Sequence, residues 1–439
     1  MRIAYFTPVS PQRTGIADYS EREMLPYLSI YADIDVFIDE RIKPTNQDLI
    51  SNFNIHPYTE YDEMKGKYDI ALYHMGNSEY HKFIYESLLK YPGITVLHDI
   101  YLHGFLWCNS LLKGDRQNYL KEFEYCHGPE GLEVAKKAVE TGVYPEFEYP
   151  LIKRIVNNSL GIVCHSNFGL KKTLECNSGV FTSKINHPLR IAEEIKIIDR
   201  VDTEDLKIKL GIDKKEQVIT SFGFISAHKR YPILLSAFKR FLRDYPNSIL
   251  LLVGEDLMGI DGLITDLGIG KSVKMTGYAP FNRIMDYLAV SDFCVNLRYP
   301  TAGETSGSVL RIMAAGKPVI VSNVGWFSEI PDSCCLKVDV DSYEEEILLE
   351  CMKLLSYDIR LRGALGANAK SYVIKEHDPE KIAREYYMFI RNILNGNEII
   401  IEDVSEKLIE LGIRDNDEDI IRKVSERVHE LFLYFPSFS

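Results

Sequence analysis

The sequence has no long hydrophobic run. Its clean apolar stretches are strand-sized, such as residues 249–253, whereas a membrane span needs roughly 18 apolar residues. The run at residues 3–6 is followed at once by Thr7 and Pro8, so it is too short for the apolar region of a signal peptide. We therefore expect a cytoplasmic protein.

The cysteines do not occur in metal-binding or disulfide patterns. Eight are present, no two form a Cys-x-x-Cys pair, and only Cys334 and Cys335 lie together. This pattern suggests neither a zinc knuckle nor a disulfide framework. No His-Glu-x-x-His motif or carboxylate cluster with metal-ligand spacing occurs either. We expect mostly buried thiols and no bound metal.

Positive charge is also in short supply. The chain has 51 Lys and Arg against 64 Asp and Glu, so its net charge is −13. This balance gives no drive for binding along a nucleic-acid backbone, although it allows a local basic pocket. Hydrophobic residues at 46% and charged residues at 26% are typical of a globular protein. A length of 439 residues predicts two or three domains.

Two α/β series fill most of the chain. Short β-rich runs alternate with longer helical segments, which is typical of parallel sheets with crossover helices. Strands are predicted at residues 2–7, 33–38, 69–74, 94–98 and 161–165 in the first series, and at 218–222, 249–253, 273–276, 293–297 and 319–322 in the second. We predict an N-terminal domain over 1–192, with a helical insertion at about 101–158, and a C-terminal domain over 193–395. Parallel sheets bind ligands at the carboxyl ends of their strands, so a cleft between two facing domains is the expected ligand site.

The last part of the chain, residues 396–439, has a different pattern and is predicted to be a helical extension. Ile420, Val424, Val428 and Leu431 recur at helical spacing, which fits either packing onto the body of the protein or a partner-binding face. The tail at 432–436 is apolar enough for a docked position or for contact with a membrane surface. The second choice would make the protein peripheral at the inner face of the membrane.

The most informative motif is the loop at 298–308, which follows a predicted strand and precedes a predicted helix at 309–315. Gly303 and Gly307 permit unusual backbone angles, and either Ser306 or Ser308 can cap the helix. The free amides of the first helical turn then form an anion site. A carboxylate at Glu304 would repel a phosphate unless it binds a neutral, hydroxyl-rich group beside it. A well-capped turn without a ligand is the alternative.

Three weaker motifs follow other strands. Lys229 and Arg230 follow the strand at 218–222, where they would neutralise a diphosphate leaving group, or would simply be solvated. Gly15 would let backbone amides approach a ligand in the loop after the first strand, or would belong to a plain turn. His98 ends the strand at 94–98 and is either a ligand-binding or a core histidine.

In this order the motifs resemble those of the family 4 glycosyltransferases. Members of that family have the GT-B fold, an α/β architecture in which two Rossmann-like domains face each other across a cleft. They transfer a sugar from a nucleotide donor with retention of configuration. The resemblance covers roughly residues 1–390 and places Gly15 and Ile16 in the glycine loop, His98 near the donor sugar, and Gly223 and Lys229 in the diphosphate segment. This chain has Phe224 where the family has an arginine, and Arg230 would substitute for it.

The family's signature pair of glutamates is altered here. Alignment on the run 313–318 puts Gly303 at the first glutamate and Arg311 at the second, while Glu304 lies one residue later. The resemblance implies that Glu304 contacts the hydroxyls of the donor sugar. Arg311 cannot accept hydrogen bonds from ribose as a carboxylate does. The loop and the segment 325–329 look like those of mannosyl and glycan-assembly transferases.

The resemblance implies a retaining hexosyltransferase that needs no cofactor besides its donor, GDP-mannose or a UDP-hexose. The acceptor would be a glycan, a lipid-linked sugar or a protein-linked sugar in polysaccharide biosynthesis. Catalysis is expected from His98, Lys229 and Glu304, through a front-face displacement that needs no protein nucleophile. The remaining donor-binding residues are expected to be Gly15, Ile16, Gly223, Arg230, Gly277, Tyr278, Thr305, Ser306, Gly307, Ser308 and Arg311.

Two alternative functions were weighed against the same sequence. The altered glutamate pair is compatible with a non-catalytic GT-B subunit that binds a glycan or a partner protein and docks through its C-terminal extension. An epimerase or a phosphorylase on the same fold is disfavoured, because further landmarks of those relatives are missing.

Overall fold

The computed structural model describes residues 1–190, 202–413, 417 and 420–424. These residues form two compact units. Unit 1 consists of 1–188, 302–304 and the described residues from 379 onward, and unit 2 consists of the described residues of 189–301 and 305–378.

Unit 1 is built on a seven-stranded parallel sheet. Its strands are β1 Arg2–Phe6, β2 Asp33–Ile38, β3 Asn54–Pro57, β4 Ile70–Met75, β5 Gly93–Leu97, β6 Ser159–Cys164 and β7 Thr182–Lys184. They lie in the order β3-β2-β1-β4-β5-β6-β7. The central strands are buried on both faces, as expected of apolar runs in a sheet covered by helices on both sides.

Helices connect these strands in the manner of crossover units. Those of unit 1 are Gly15–Asp18, Leu25–Leu28, Gln47–Asn52, Tyr61–Met64, Lys82–Lys90, His103–Asn109, Arg116–Thr141, Lys153–Asn157, Asn167–Cys176 and Pro379–Glu410. A π-helical segment, Tyr19–Met24, joins the first two. Arg116–Thr141 is broken at Gly128, where φ is 65°, just before Pro129. The predicted insertion at 101–158 corresponds to the helices that lie between β5 and β6.

Unit 2 contains a six-stranded parallel sheet. Its strands are β8 Gln217–Phe222, β9 Ser248–Val253, β10 Val273–Met275, β11 Phe293–Asn296, β12 Val319–Ser322 and β13 Leu336–Val338, in the order β10-β9-β8-β11-β12-β13. Its helices are Thr203–Lys209, Tyr231–Phe241, Asp261–Leu267, Phe281–Val290, Gly307–Ala314, Glu344–Tyr357 and Ile359–Glu376. The predicted pair of Rossmann-like α/β units is confirmed.

The structure differs from the predicted boundary at 395/396, because the helix Pro379–Glu410 runs straight through it. Ile382, Tyr386 and Ile390 on this helix are fully buried in the core of unit 1. Their spacing of four residues forms one apolar face, and that face assigns the helix to unit 1. Of the C-terminal positions named above, Ile420 is exposed and Val424 is half-buried. Val428, Leu431, the tail at 432–436 and the boundary at 192/193 lie outside the described residues.

Two expectations from composition can be compared with the structure. All eight cysteines are free, and five of them are buried. Within the part of the chain that the structure describes, no helix is both long enough and apolar enough to cross a membrane.

Candidate functional site

In unit 2 the strand order reverses between β8 and β11. β8 pairs with β9 on one side and with β11 on the other, so the connections leave these two strands in opposite directions. The carboxyl ends at such a reversal form the crevice where open parallel sheets bind ligands. The predicted residues from Gly223 to Arg230 follow β8, and those from Glu304 to Arg311 follow β11.

Gly223 and Lys229 are in close contact at the end of β8. The Lys229 ammonium is buried and donates to the Phe222 carbonyl at 3.1 Å. Gly223 has φ of +98°, and a Cβ added there would lie 2.2 Å from Lys229 Nζ and 3.7 Å from Ser308 Oγ. Only glycine leaves room for the ammonium at this backbone position. A buried cation in a low-dielectric crevice interacts strongly with an anionic group.

Asn296, at the end of β11, extends this group of polar side chains. It is 1% exposed, and its Nδ2 donates to the same Phe222 carbonyl at 3.3 Å. Its Oδ1 has no hydrogen-bond partner among the described residues. A buried amide oxygen that lacks a donor is uncommon and suits a ligand hydroxyl.

The helix Gly307–Ala314 has the capped N-terminus on which the predicted anion site depends. Ser306, rather than Ser308, is its cap: the Ser306 side chain accepts from the amide of Val309 at 3.3 Å. A Cβ added at Gly307 would lie 2.9 Å from Arg311 Nη1, so the Arg311 side chain folds back along the first turn. A guanidinium beside the positive end of a helix favours an anion. At the other end, Gly316 has φ of +67° and terminates the helix as predicted.

Arg230 is held differently from Lys229. Its guanidinium forms an ion pair with Glu344, whose side chain is 2% exposed; Arg230 Nε donates to Glu344 Oε1 at 3.1 Å, and a second contact joins Nη2 and Oε2. The carboxylate raises the pKa of Arg230, mainly through this hydrogen bond. The charge of Arg230 is therefore largely balanced, and its role as a diphosphate ligand stays a prediction.

The other predicted residues of unit 2 lie on the edge formed by the carboxyl ends of its strands. Gly277 has φ of +67° and bridges to Gly254 just beyond β9 and β10. Tyr278 is 59% exposed and Phe224 is 44% exposed. Thr305 is half-buried and directly precedes the Ser306 cap.

In unit 1 the strand order reverses between β1 and β4. β1 pairs with β2 on one side and with β4 on the other. Gly15 and Ile16 begin the first helix after β1, where the Thr14 side chain accepts from the Ile16 amide at 3.3 Å. A Cβ at Gly15 would touch nothing within 4 Å, so the chain itself does not require this glycine. Gly76 is the constrained one, because its Cβ would lie 2.3 Å from Ile16 Cδ1.

His98 directly follows β5 and belongs to a cluster of aromatic rings. It packs edge-on against Tyr19 at 4.6 Å, and its Nε2 lies 3.1 Å from His74 Nδ1. His165 and His187 also contact the Tyr19 ring, with centroid distances of 5.4 and 4.9 Å. The hydroxyl of Tyr19 bonds to that of Tyr386 at 2.9 Å.

The His74 contact determines how His98 is protonated. His74 is fully buried, and its Nε2 has no hydrogen-bond partner among the described residues. A buried N–H group without an acceptor is rarer than a buried acceptor atom without a donor. We therefore assign the His74 proton to Nδ1, which donates to His98 Nε2, and leave His74 Nε2 unprotonated. His98 is left with its proton on Nδ1, as a donor. Burial, and then the neighbouring imidazoles, hold the pKa of His98 well below its ordinary value, so the ring is neutral.

Glu304 belongs to a short segment, residues 302–304, that groups with unit 1. The amides of Ile100 and Tyr101 donate to the Ala302 carbonyl at 2.7 and 3.1 Å. Gly303 has φ of +83°, and a Cβ there would lie 2.7 Å from Ile100 Cγ1. Any larger residue at position 303, a glutamate included, would clash with Ile100 while the backbone keeps this conformation. The next residue, Glu304, is half-buried.

Sequence reasoning missed His74, Gly76, Asn296 and Glu344. His74 is the last residue but one of β4 and Asn296 is the last residue of β11. A polar residue near the carboxyl end of a buried strand was the signal available for both. Glu344 begins a helix among other acidic residues and gave no such signal. Within the described ranges, no group of three or more His, Cys, Asp or Glu side chains is placed to bind a metal ion.

Solved structures that are also built from two parallel-sheet units have the GT-B fold. A complex of HepE from Anabaena with UDP superposes with a TM-score of 0.62, covering 89% of this chain and all of that one, at 16% identity. Sucrose-phosphate synthase from Thermosynechococcus elongatus gives the same TM-score over 90% of this chain and all of that one, also at 16% identity. The protein has a GT-B fold.

The family is indicated by sequence. The family model described as Glycosyl transferases group 1 matches residues 202–372. The chain is 28% identical over 209 residues to D-inositol 3-phosphate glycosyltransferase of Rhodococcus opacus, which covers 45% of this chain and 46% of that protein. It is 30% identical over 119 residues to alpha-monoglucosyldiacylglycerol synthase of Acholeplasma laidlawii, covering 26% and 29%. The chain thus spans less than half the length of these relatives.

Proposed function

We propose that the protein is a retaining glycosyltransferase that moves a hexose from a nucleotide-sugar donor to a hydroxyl of a glycan, lipid-linked or protein-linked acceptor in the cytoplasm. The observation that carries this proposal is the anion site at the β8/β11 reversal. There the buried Lys229 ammonium lies against Gly223 and near Ser308, in a stretch that matches a glycosyl transferase family.

Each part of this site has a task in the transfer. The acceptor oxygen forms a bond to the anomeric carbon while the bond from that carbon to the diphosphate oxygen breaks on the same face. The hydroxyl proton passes to the departing diphosphate. Lys229, Arg311 and the first amides of the helix Gly307–Ala314 stabilise the charge that develops on the leaving group. A fixed cation does this more effectively than water, since it does not have to reorient during the reaction.

The sugar is assigned to unit 1 residues. His98 presents a neutral N–H donor, and Glu304 offers a carboxylate to hydroxyl groups. A donor and an acceptor of this kind orient a neutral sugar without competing for the diphosphate. In this proposal unit 1 binds the acceptor and unit 2 binds the nucleotide.

The donor base remains to be chosen. HepE was crystallised with UDP and with UDP-glucose, and we therefore favour a UDP-hexose over GDP-mannose.

The experiment is donor hydrolysis by the purified chain, which needs no acceptor. UDP-glucose and GDP-mannose are each incubated with wild type, Lys229→Met and Lys271→Met, and the released diphosphate is measured. Lys271 is exposed, so its variant has the same charge change away from the site. We expect Lys229→Met to lose about 100-fold or more in rate, as when a preorganised stabiliser of charge is removed, and Lys271→Met to match wild type. Equal rates in all three proteins would contradict the proposal.

A second candidate, a non-catalytic subunit, is favoured by one observation. Phe224 stands where the family has an arginine, and Arg230 forms an ion pair with the buried Glu344, so the charge of Arg230 is already largely balanced. Nucleotide binding without release of diphosphate from either donor would support this candidate.

A further inference from the structure

Unit 1 contains a cavity that the proposed reaction has not used. Its volume is about 190 Å³, and it lies beside the chain that leaves β4 and the helix His103–Asn109. Six of its lining residues are Asn77, His103, Trp107, Tyr144, Glu146 and Phe147. Three are aromatic and three are polar, which is the composition of a small-molecule site.

The polar wall of the cavity is rigidly held. The backbone amide of Asn77 donates to Asp99 Oδ2 at 2.8 Å, and the side-chain oxygen Oδ1 of Asn77 accepts from the backbone amide of Phe105 at 2.8 Å. The second bond fixes which side-chain atom is the oxygen, so Nδ2 is the donor that Asn77 offers. Gly104 also lines the cavity, and a Cβ there would lie 3.0 Å from Asn77 Oδ1. This glycine lets the helix approach Asn77 closely.

The aromatic wall is packed around His103. The ring of His103 lies 5.6 Å from that of Tyr144, and its Nε2 lies 3.0 Å from the Tyr119 hydroxyl. Burial lowers the pKa of His103 to about 4, so the imidazole is neutral at pH 7. Trp107 is half-buried and Glu146 is exposed at the rim, so a ligand can reach both.

These groups select the chemistry of the ligand. The Glu146 carboxylate repels an anionic ligand. A quaternary ammonium ion is disfavoured as well, because it has no atom that could accept a hydrogen bond from Asn77 Nδ2. A neutral ring with several hydroxyls satisfies both groups and lays its C–H face on the aromatic side chains. The cavity volume of about 190 Å³ is enough to hold one sugar ring.

We propose that this cavity binds one pyranose unit of a glycan. Its assignment to the acceptor rests on the proposed transferase function, but the binding itself does not. The two ideas are therefore tested by different measurements: sugar binding is measured without a donor, and donor hydrolysis is measured without an acceptor.

The test uses tryptophan fluorescence. The chain has two tryptophans; Trp107 lines the cavity, and Trp326 is buried in the core of unit 2. In a Trp326→Phe background the emission reports on Trp107 alone. The full-length variant is titrated in the millimolar range with methyl α-glucopyranoside, methyl α-mannopyranoside and tetramethylammonium chloride. We expect a saturable change with at least one glycoside and none with the ammonium salt.

Two matched variants locate the binding. Glu146→Gln should weaken the glycoside at least about tenfold, because a hydrogen bond to a charged acceptor is lost. Glu148→Gln removes an exposed carboxylate two residues away and should have no effect. The proposal is overturned if no glycoside saturates, if only tetramethylammonium does, or if the two variants weaken binding equally.

Discussion

Arg230 was predicted from sequence to neutralise a diphosphate, but its contact with Glu344 indicates a structural role that can be measured. The Glu344 carboxylate is 2% exposed and is held by two contacts to the guanidinium. Replacing Arg230 by Met would leave this carboxylate buried without its counter-charge. Breaking a buried pair in this way costs about 3–5 kcal/mol. Because Glu344 begins a helix, whose amides offset part of that loss, we expect the lower end, about 3 kcal/mol.

Such a loss is readily measured. For a unit of this size it corresponds to a fall in melting temperature of roughly 10 °C. Urea unfolding is followed by the fluorescence of Trp326, which lies in unit 2, in a Trp107→Phe background. The double variant Arg230→Met with Glu344→Leu removes both charges and should recover most of the stability, as apolar replacements of buried pairs often do.

The double variant also separates folding from catalysis. If Arg230 only balances Glu344, the stable double variant hydrolyses the donor at the wild-type rate; if Arg230 also binds the diphosphate, the variant is stable but slow. A loss of less than about 1 kcal/mol in the single variant, the range of an exposed pair, would refute the argument that the ion pair is buried.

Three further predictions concern single residues. Gly303→Ala should destabilise unit 1 by about 1–3 kcal/mol, because its Cβ would overlap Ile100 at a left-handed backbone position; thermal unfolding measures this, and an unchanged melting temperature would contradict it. Gly223→Ala should slow donor hydrolysis by displacing the Lys229 ammonium, which lies 2.2 Å from the added atom, and wild-type rates would show that the ammonium position does not matter. His81 is buried and its pKa is lowered to about 4, below its unfolded value, so stability is fully present above about pH 6.5 and falls with the pH from there to about pH 4. At about pH 5 this one group costs about 2 kcal/mol relative to pH 8, and urea unfolding of His81→Gln at both values should show a smaller loss by that amount; an unchanged loss would mean that His81 does not titrate as inferred.

The sequence predicted the strands inside the two sheets and missed three of the four edge strands, all but β10. β9 is an apolar run after its first residue, and apolar and β-branched residues predominate in β1 and β8, so composition identifies these strands. The missed strands, β3, β7 and β13, have only three or four residues, lie at the edges of their sheets and are at most partly buried over most of their length. Their neighbours in the sheet, rather than their own side chains, determine that they are strands.

The candidate site divides in the same way. Ser306, Gly307 and Lys229 could be predicted because a cap, a glycine and a basic residue follow strands within a few positions. Asn296 and Glu344 were not, because they act on groups far away in sequence: Asn296 bonds to Phe222 across 74 positions, and Glu344 pairs with Arg230 across 114. Such partners are brought together by the parallel sheet and leave no local pattern.

Arg311 is the residue for which sequence and structure lead to different expectations. By alignment it occupies the position of a ribose-binding carboxylate, and its presence there would weaken nucleoside recognition. In the structure its guanidinium folds back over Gly307, at the positive end of a helix that already favours anions. We therefore expect Arg311 to act on the diphosphate.

The two expectations are separated by comparing each nucleoside diphosphate with its nucleoside. Calorimetric titrations of UDP, uridine, GDP and guanosine are carried out on wild type and on Arg311→Gln, a variant that keeps hydrogen-bonding capacity and removes the charge. Loss of a charge-assisted contact should weaken the affinity for the nucleoside diphosphate by about tenfold and leave the affinity for the matching nucleoside unchanged. Equal weakening of both, or tighter nucleoside binding by the variant, would mean that Arg311 contacts the ribose or obstructs it. Since the helix end and the guanidinium act on the same anion, the diphosphate should then account for most of the affinity, and the family's second glutamate would not be needed to hold the donor.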